Sequence, residues 1–165
     1  LEAVDPETFR YIWDAPKQYS LEGVSEFIHS IPEGRVALAA VSYNGEFFGS
    51  SSFFDVREEH LGIEIGHTWI SKGFRGTFVN PEMKFLMLRH AFEDLGAIRV
   101  QLKTDARNEQ SQAAMRKLGL TFEGVLRKHI VMPDGFIRDT VMFSVIDTEW
   151  PEVKAKLIER LGYEP

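Results

Sequence analysis

The segment Gly73-Phe74-Arg75-Gly76-Thr77-Phe78-Val79-Asn80 joins a β-type pattern to a helical one. At such a junction successive backbone N–H groups and the positive end of the helix can hold an anionic phosphate. The same glycines also suit an ordinary strand-to-helix connection. No Gly-Lys-Ser/Thr follows and no Gly-x-Gly-x-x-Gly fingerprint is present, so a mononucleotide or dinucleotide site is not indicated. Just upstream, Glu64 stands between Ile63 and Ile65. Burial among apolar neighbours raises a carboxylate's affinity for protons and suits it to act as a base, although an ion pair or a solvated strand face accounts for the same residue. His67 can accept a proton at neutral pH or serve as a hydrogen-bonded structural residue. The chain has no cysteine, which excludes thiolate nucleophiles, disulfides and Cys-type zinc sites. The histidines show no metal-ligand spacing, and no metal is expected.

These residues need a scaffold. Arg35 to Tyr43 and Glu46 to Asp55 flank Asn44-Gly45, a strong hairpin signal, and predict two antiparallel strands. Leu61 to Ile70 reads as a third strand, with Ile63 and Ile65 on one face and Glu64 on the other. Asn80 as N-cap, Pro81 at the first helical position and Gly96 past the end predict a core helix over 81–95. A strand over 98–104 precedes a short helix capped by Asn108 and stopped by Gly119. Strands over 122–132 and 137–146 are joined by the turn Pro133-Asp134-Gly135, and Trp150 to Leu161 closes with a surface helix. Ahead of these lie two short amphipathic stretches, Glu7 to Trp13 and Leu21 to Ser30, broken by Pro6, Pro16, Gly23 and Pro32. The pattern predicts a mixed α/β (α+β) domain with a central, mostly antiparallel sheet flanked by helices.

The length of 165 residues, with 44% hydrophobic and 27% charged, bounds one domain able to bury its own core. A net charge of −6 gives no footprint for a phosphate backbone, so nucleic acid is not an expected partner. No apolar run reaches the roughly 18 residues of a membrane span. Together with the absence of cysteine this fits a cytoplasmic location. Trp13, Trp69, Trp150, Phe47, Phe48, Phe53 and Phe54 are expected mostly in the core, a minority lining a substrate pocket. The basic run Arg127-Lys128-His129 reads as a solvated strand face or as a contact for phosphate or an acidic partner.

Asn108-Glu109-Gln110-Ser111-Gln112-Ala113-Ala114-Met115-Arg116-Lys117-Leu118-Gly119 resembles the Asn-x-x-Ser-x-x-Ala-hydrophobic-x-x-Leu-Gly segment of the GNAT superfamily of N-acetyltransferases, in particular the branch of the ribosomal-protein N-terminal (Rim-type) acetyltransferases. Glu64-Ile65-Gly66-His67 is similar to that branch's Glu-Ile-Gly-Tyr strand. Asn80-x-Glu82-x-Lys84 is similar to the start of its coenzyme helix, and Asp134-Gly135-x-x-Arg138-Asp139 to its late hairpin.

The resemblance implies a GNAT fold, acetyl-CoA as co-substrate, and transfer of acetyl to a primary amine by direct attack without a covalent enzyme intermediate. The acceptor would be a protein N-terminus or a small amine such as a polyamine, amino acid or aminoglycoside. It implies pyrophosphate contacts from the loop Arg75, Gly76, Thr77, Phe78, Val79 and Asn80, backbone contacts to pantetheine at Trp69 and Ile70, and Asn108 beside the coenzyme. Glu64 would be the base and Ser111 the acid, because Met115 stands where many relatives carry Tyr and has no useful proton to give.

Three departures stand beside the match. Gly73 and Phe78 replace the usual Gln/Arg and Gly/Ala of the pyrophosphate signature, and a Phe there disfavours positive φ by about 1 to 2 kcal/mol. Relatives begin with a strand and a helix ahead of the segment that here starts at Asp5, so residues 1–165 read as a single domain lacking those elements. Either the chain is a fragment of a longer protein or another element completes the sheet edge, and an uncovered edge invites pairing with a second copy as a homodimer. The departures keep a second class open, a non-catalytic acyl-CoA-binding or interaction domain with a degenerate site, and behind it a structural partner protein.

Overall fold

The computed structural model describes residues 10–12, 18, 20, 22–23, 25–26, 36–41, 45 and 47–163. Of the opening amphipathic stretches, Arg10 and Tyr11 lie in a turn followed by irregular Ile12, and Glu22, Gly23, Ser25 and Glu26 take helical positions; their other residues lie outside the described ones, as does Asn44. Along the chain run β1 (Val36–Val41), β2 (Phe47–Arg57), β3 (Gly62–Ile70), α1 (Val79–Arg89), β4 (Arg99–Asp105), α2 (Glu109–Lys117), β5 (Thr121–Val131), β6 (Ile137–Ile146) and α3 (Trp150–Leu161). Six strands form one sheet in the order β1-β2-β3-β4-β6-β5. All neighbours are antiparallel except β3 and β4, whose crossover through α1 makes them parallel.

Local chemistry explains most boundaries. Asn108 Oδ1 accepts from the Ser111 N–H at 3.0 Å and caps α2, and Gly119 ends it at φ +87°, a conformation a Cβ would strain. Asp134 Oδ1 accepts from the Phe136 N–H at 3.0 Å inside the β5–β6 turn, where Gly135 takes φ +82°. The core helix departs from its expected bounds at both ends. It starts at Val79, so Asn80 is its second residue and Pro81 its third, and the N-cap is Phe78 with no side-chain cap bond. The Thr77 hydroxyl does the local work instead, accepting from the Val79 N–H at 3.3 Å while donating to the Phe74 carbonyl at 2.7 Å. Pro81 is tolerated because the first-turn N–H groups of a helix have no intrahelical partner to lose. Beyond Arg89 the helix widens into a π turn over His90–Asp94.

The register divides the sheet into two unlike faces. Phe53, Ile63, Ile65, Val100, Leu102, Val141, Phe143 and Val145 lie on one face and are buried against the helices, in one cluster with Met83, Phe85 and Leu88 of α1, Met115 of α2 and Trp150, Val153 and Leu157 of α3. Each such aromatic or aliphatic side chain contributes about 1.5 to 3 kcal/mol. Side-chain alternation puts Phe54, Glu64, Gln101, Lys103, Asp105, Arg138, Thr140 and Ser144 on the other face. That face is polar. No helix among the described residues is long and apolar enough to cross a membrane.

Candidate active site

The parallel pair β3–β4 is held by only three register partners, Gly62↔Arg99, Ile63↔Val100 and Glu64↔Gln101. Beyond Glu64 and Gln101 the strands part, each continuing with its outer neighbour alone. A bulge helps to turn β3 away: Ser52 pairs with Gly66 and Ser50 with Trp69, so Ser51 faces two residues, and His67 there adopts φ +48°. The result is a cleft of about 680 Å³ that reaches both sides of the sheet. Asn80, Lys84, Asn108, Ser111 and Met115 line it from the helix side, and Glu64, Lys103, Arg138 and Tyr11 from the polar side.

On the helix side the expected phosphate loop closes on itself in two tight turns. Phe74 N–H donates to the Ser71 carbonyl at 2.9 Å, Arg75 N–H to Lys72 at 3.4 Å and Thr77 N–H to Phe74 at 3.4 Å. The N–H groups of Gly76, Phe78 and Asn80 keep no partner among the described residues. Three donors at the start of a helix can hold an anion. Gly76 carries the positive φ of the loop at +78°, whereas Phe78 sits at φ −68°. The strain expected of a Phe at that position does not arise. The Phe78 side chain is 58% exposed and, with buried Val79, is not part of the cleft lining. Trp69, Ile70, Arg75, Gly76, Thr77, Asn80 and Asn108 do line it. Arg75 Nε donates to the Ile70 carbonyl at 3.0 Å and ties the loop to the end of β3.

Across the cleft Glu64 is 1% exposed. Lys103 Nζ lies 3.0 Å from each carboxylate oxygen, and Gln101 Nε2 donates to Oε2 at 3.0 Å. The ammonium neutralises the charge that burial would otherwise penalise, and the amide adds a hydrogen bond. Ser111 is half-buried in the first turn of α2, and its hydroxyl makes no hydrogen bond among the described residues. Glu64 and Ser111 thus line one cleft from opposite sides of the sheet. His67 packs edge-on against Phe54, ring centroids 5.0 Å apart. Of the aromatics considered for an acceptor pocket, Phe54 and Trp69 line the cleft, and Phe53 and Trp150 are core.

Sequence reasoning gave Lys84 no role of its own. It is 4% exposed on α1, and its Nζ donates to Ser51 Oγ at 3.0 Å and Thr68 Oγ1 at 2.5 Å. Burial without a carboxylate lowers its pKa from 10.5 to about 7. The available signal was a Lys on the stripe Pro81, Lys84, Phe85, Leu88, which has the i, i+3, i+4, i+7 spacing of a buried helix face. Lys103 and Gln101 were missed because which strand residues meet across a parallel pair depends on register.

The sheet is parted between two parallel strands, with N–H donors on one side of the cleft and a buried carboxylate on the other. The model of the acetyltransferase (GNAT) domain matches residues 2–121, and the chain belongs to this family. It is 30% identical over 112 residues to "Putative ribosomal N-acetyltransferase YdaF" of Bacillus subtilis (strain 168), covering 68% of this chain. The match spans 60% of that relative's length. The crystal structure of a "putative acetyltransferase" from T. thermophilus superposes with TM-score 0.90 at 43% identity, over 96% of this chain and 85% of that one. A GCN5-related N-acetyltransferase from Brucella melitensis does so with TM-score 0.87 at 25% identity, over 94% and 71%.

Proposed function

We propose that this chain is an acetyl-CoA-dependent N-acetyltransferase that moves acetyl to a primary amine by direct attack. The observation that carries the reading is the opening of the sheet beyond Glu64 and Gln101, which gives one cleft a lining from both faces of the sheet. The N–H groups of Gly76, Phe78 and Asn80, with Arg75, suit the coenzyme pyrophosphate, and the edge of β3 at Trp69 and Ile70 suits the pantetheine arm. Asn108 lies beside that path. The co-substrate supplies an activated acyl group, and this chain's residues orient it and manage the protons.

In that role Glu64 takes the amine proton, directly or through water, as the nitrogen attacks the thioester carbonyl. The carbon–sulfur bond then breaks, and Ser111 is the proton source for the departing thiolate. The uncommitted Ser111 hydroxyl supports this assignment. No metal takes part in the scheme. The protein acts from the cytoplasm, and a homodimer is its proposed assembly.

Thermal melting during titration with acetyl-CoA tests the coenzyme half. Ligand at 100 times its dissociation constant adds about 2.7 kcal/mol, a rise of several degrees for a chain of this size. A saturable rise that shrinks in Arg75→Ala supports the reading. A flat response contradicts it.

A further inference from the structure

Ion pairs leave the polar face of the sheet almost electrically closed. Glu64 is paired with Lys103, Asp105 with Arg107 at 2.6 Å, Arg99 with Glu123 at 2.5 Å and Asp55 with Arg57 at 3.5 Å. Arg138 is different. It is 3% exposed, yet its guanidinium donates only to neutral oxygens, Nε to Thr140 Oγ1 at 3.1 Å and Nη1 to the Tyr11 carbonyl at 3.3 Å. No carboxylate among the described residues is within ion-pair distance of it. Burial pushes its pKa below the ordinary arginine value, opposed by the more distant charges of Asp105 and Glu64 and reinforced by Arg107. An arginine side chain nevertheless stays protonated in proteins.

A buried cation with neutral partners is a cost that an arriving anion removes, and carboxylates meet guanidinium groups with two parallel hydrogen bonds. Arg138 lies on the face away from α1 and its phosphate loop, so the anion it suits is not the coenzyme pyrophosphate. It lines the cleft together with Glu64, whose own charge Lys103 already neutralises. Among the described residues this end of the cleft therefore carries surplus positive charge, which repels a second ammonium group such as that of a polyamine. We infer that the acceptor amine also bears a carboxylate, seated on Arg138 with its nitrogen toward Glu64. The inference rests on the amine-acetylation reading and narrows its substrate class. A free amino acid and an acidic peptide N-terminus both bring this chemistry.

Matched acceptors test it on the unmodified chain with acetyl-CoA: tyrosine against tyramine, ornithine against putrescine, and C-terminally amidated peptides beginning Ser-Asp against Ser-Asn. The carboxylate member of at least one pair is expected to have a kcat/KM higher by about 10- to 100-fold, the range of a charge-assisted contact. The preferred pair identifies the source. Arg138→Met should bring the ratio toward unity and Arg138→Lys should keep part of it, with melting curves confirming that both variants are folded. The same pairs are titrated into the CoA-loaded protein as a binding readout. Turnover without preference overturns the inference and leaves acetyl transfer standing. Preferential binding without turnover keeps Arg138 as a carboxylate site but overturns the inference about an acceptor, together with the transfer reading. Equal treatment of both members in binding and turnover, or no response to any acceptor, overturns it.

Discussion

Lys103, two residues beyond the last register pair that holds the two strands together, reaches back from β4 to grip Glu64 on β3, its Nζ 3.0 Å from both carboxylate oxygens. The pair closes the apex of the opened sheet and fixes the carboxylate at the floor of the cleft. Lys103 also lies 5.3 Å from the Phe54 ring centroid, which keeps the ammonium on the polar side.

Removing one partner separates architecture from chemistry. Lys103→Met leaves a buried carboxylate without its cation and with only the Gln101 hydrogen bond, at a cost of about 2 to 4 kcal/mol, visible as a fall in melting temperature of several degrees. Glu64→Gln keeps an amide of the same shape beside Lys103 and should lower kcat by about 10² to 10⁴, with the acetyl-CoA dissociation constant unchanged. An equal loss of coenzyme affinity in Glu64→Gln would assign the residue to binding.

Lys84 predicts the shape of the stability profile. Its pKa falls from 10.5 to about 7 on folding. Between those values the unfolded chain holds a proton that the folded chain has released, so stability rises with pH across that window. Melting temperature should increase from pH 7 toward pH 10, and Lys84→Met should flatten the rise, because Ser51 Oγ and Thr68 Oγ1 remain 2.8 Å apart and satisfy each other. Above pH 10 the trend reverses. The hydrogen bond from Tyr163 to Glu82, with some burial, raises the phenol from 10.0 to about 12, so the folded state keeps a proton the unfolded chain loses.

Much of the fold was legible because its punctuation is local. Asn108 caps and Gly119 stops α2 where they stand in sequence, and the spans 137–146 and 150–161 match β6 and α3. Asn80 misled because a good N-cap residue followed by Pro is only a propensity, and Thr77, three residues earlier, supplied the nearby hydroxyl. The candidate site was legible as a set of lining residues more than as a network. Alternation put Glu64 opposite Ile63 and Ile65, but nothing local says that Lys103 and Gln101 meet it or that Arg138 is buried without an anion. Those facts come from the register between β3, β4 and β6, which is a property of the assembled sheet.

The loop over 73–80, proposed to hold the coenzyme pyrophosphate, offers a backbone test. A Cβ on Gly76 meets no atom within 4 Å, so Gly76→Ala acts through φ +78° alone. The expected cost is about 1 to 2 kcal/mol. Acetyl-CoA affinity should fall about tenfold, measured by calorimetric titration, since the N–H groups of Gly76 and Phe78 must move.

Two substitutions at the start of α2 should diverge. Asn108→Ala removes the oxygen that accepts from the Ser111 N–H and should cost about 1 kcal/mol, a drop of about 2 to 4 °C in melting temperature. Ser111→Ala removes a hydroxyl with no partner among the described residues. Melting temperature should stay within about a degree while kcat falls about 10²-fold.

The central claim is that one cleft brings an amine to an acetyl thioester. Release of free CoA thiol from acetyl-CoA, followed with and without a panel of primary amines including the carboxylate-bearing ones, measures it directly. The account predicts release that depends on the amine, saturates with it, yields the N-acetyl product in equal amount and collapses in Glu64→Gln. Saturable acetyl-CoA binding with no amine-dependent release from any member of the panel would contradict it and make the chain an acyl-CoA-binding domain.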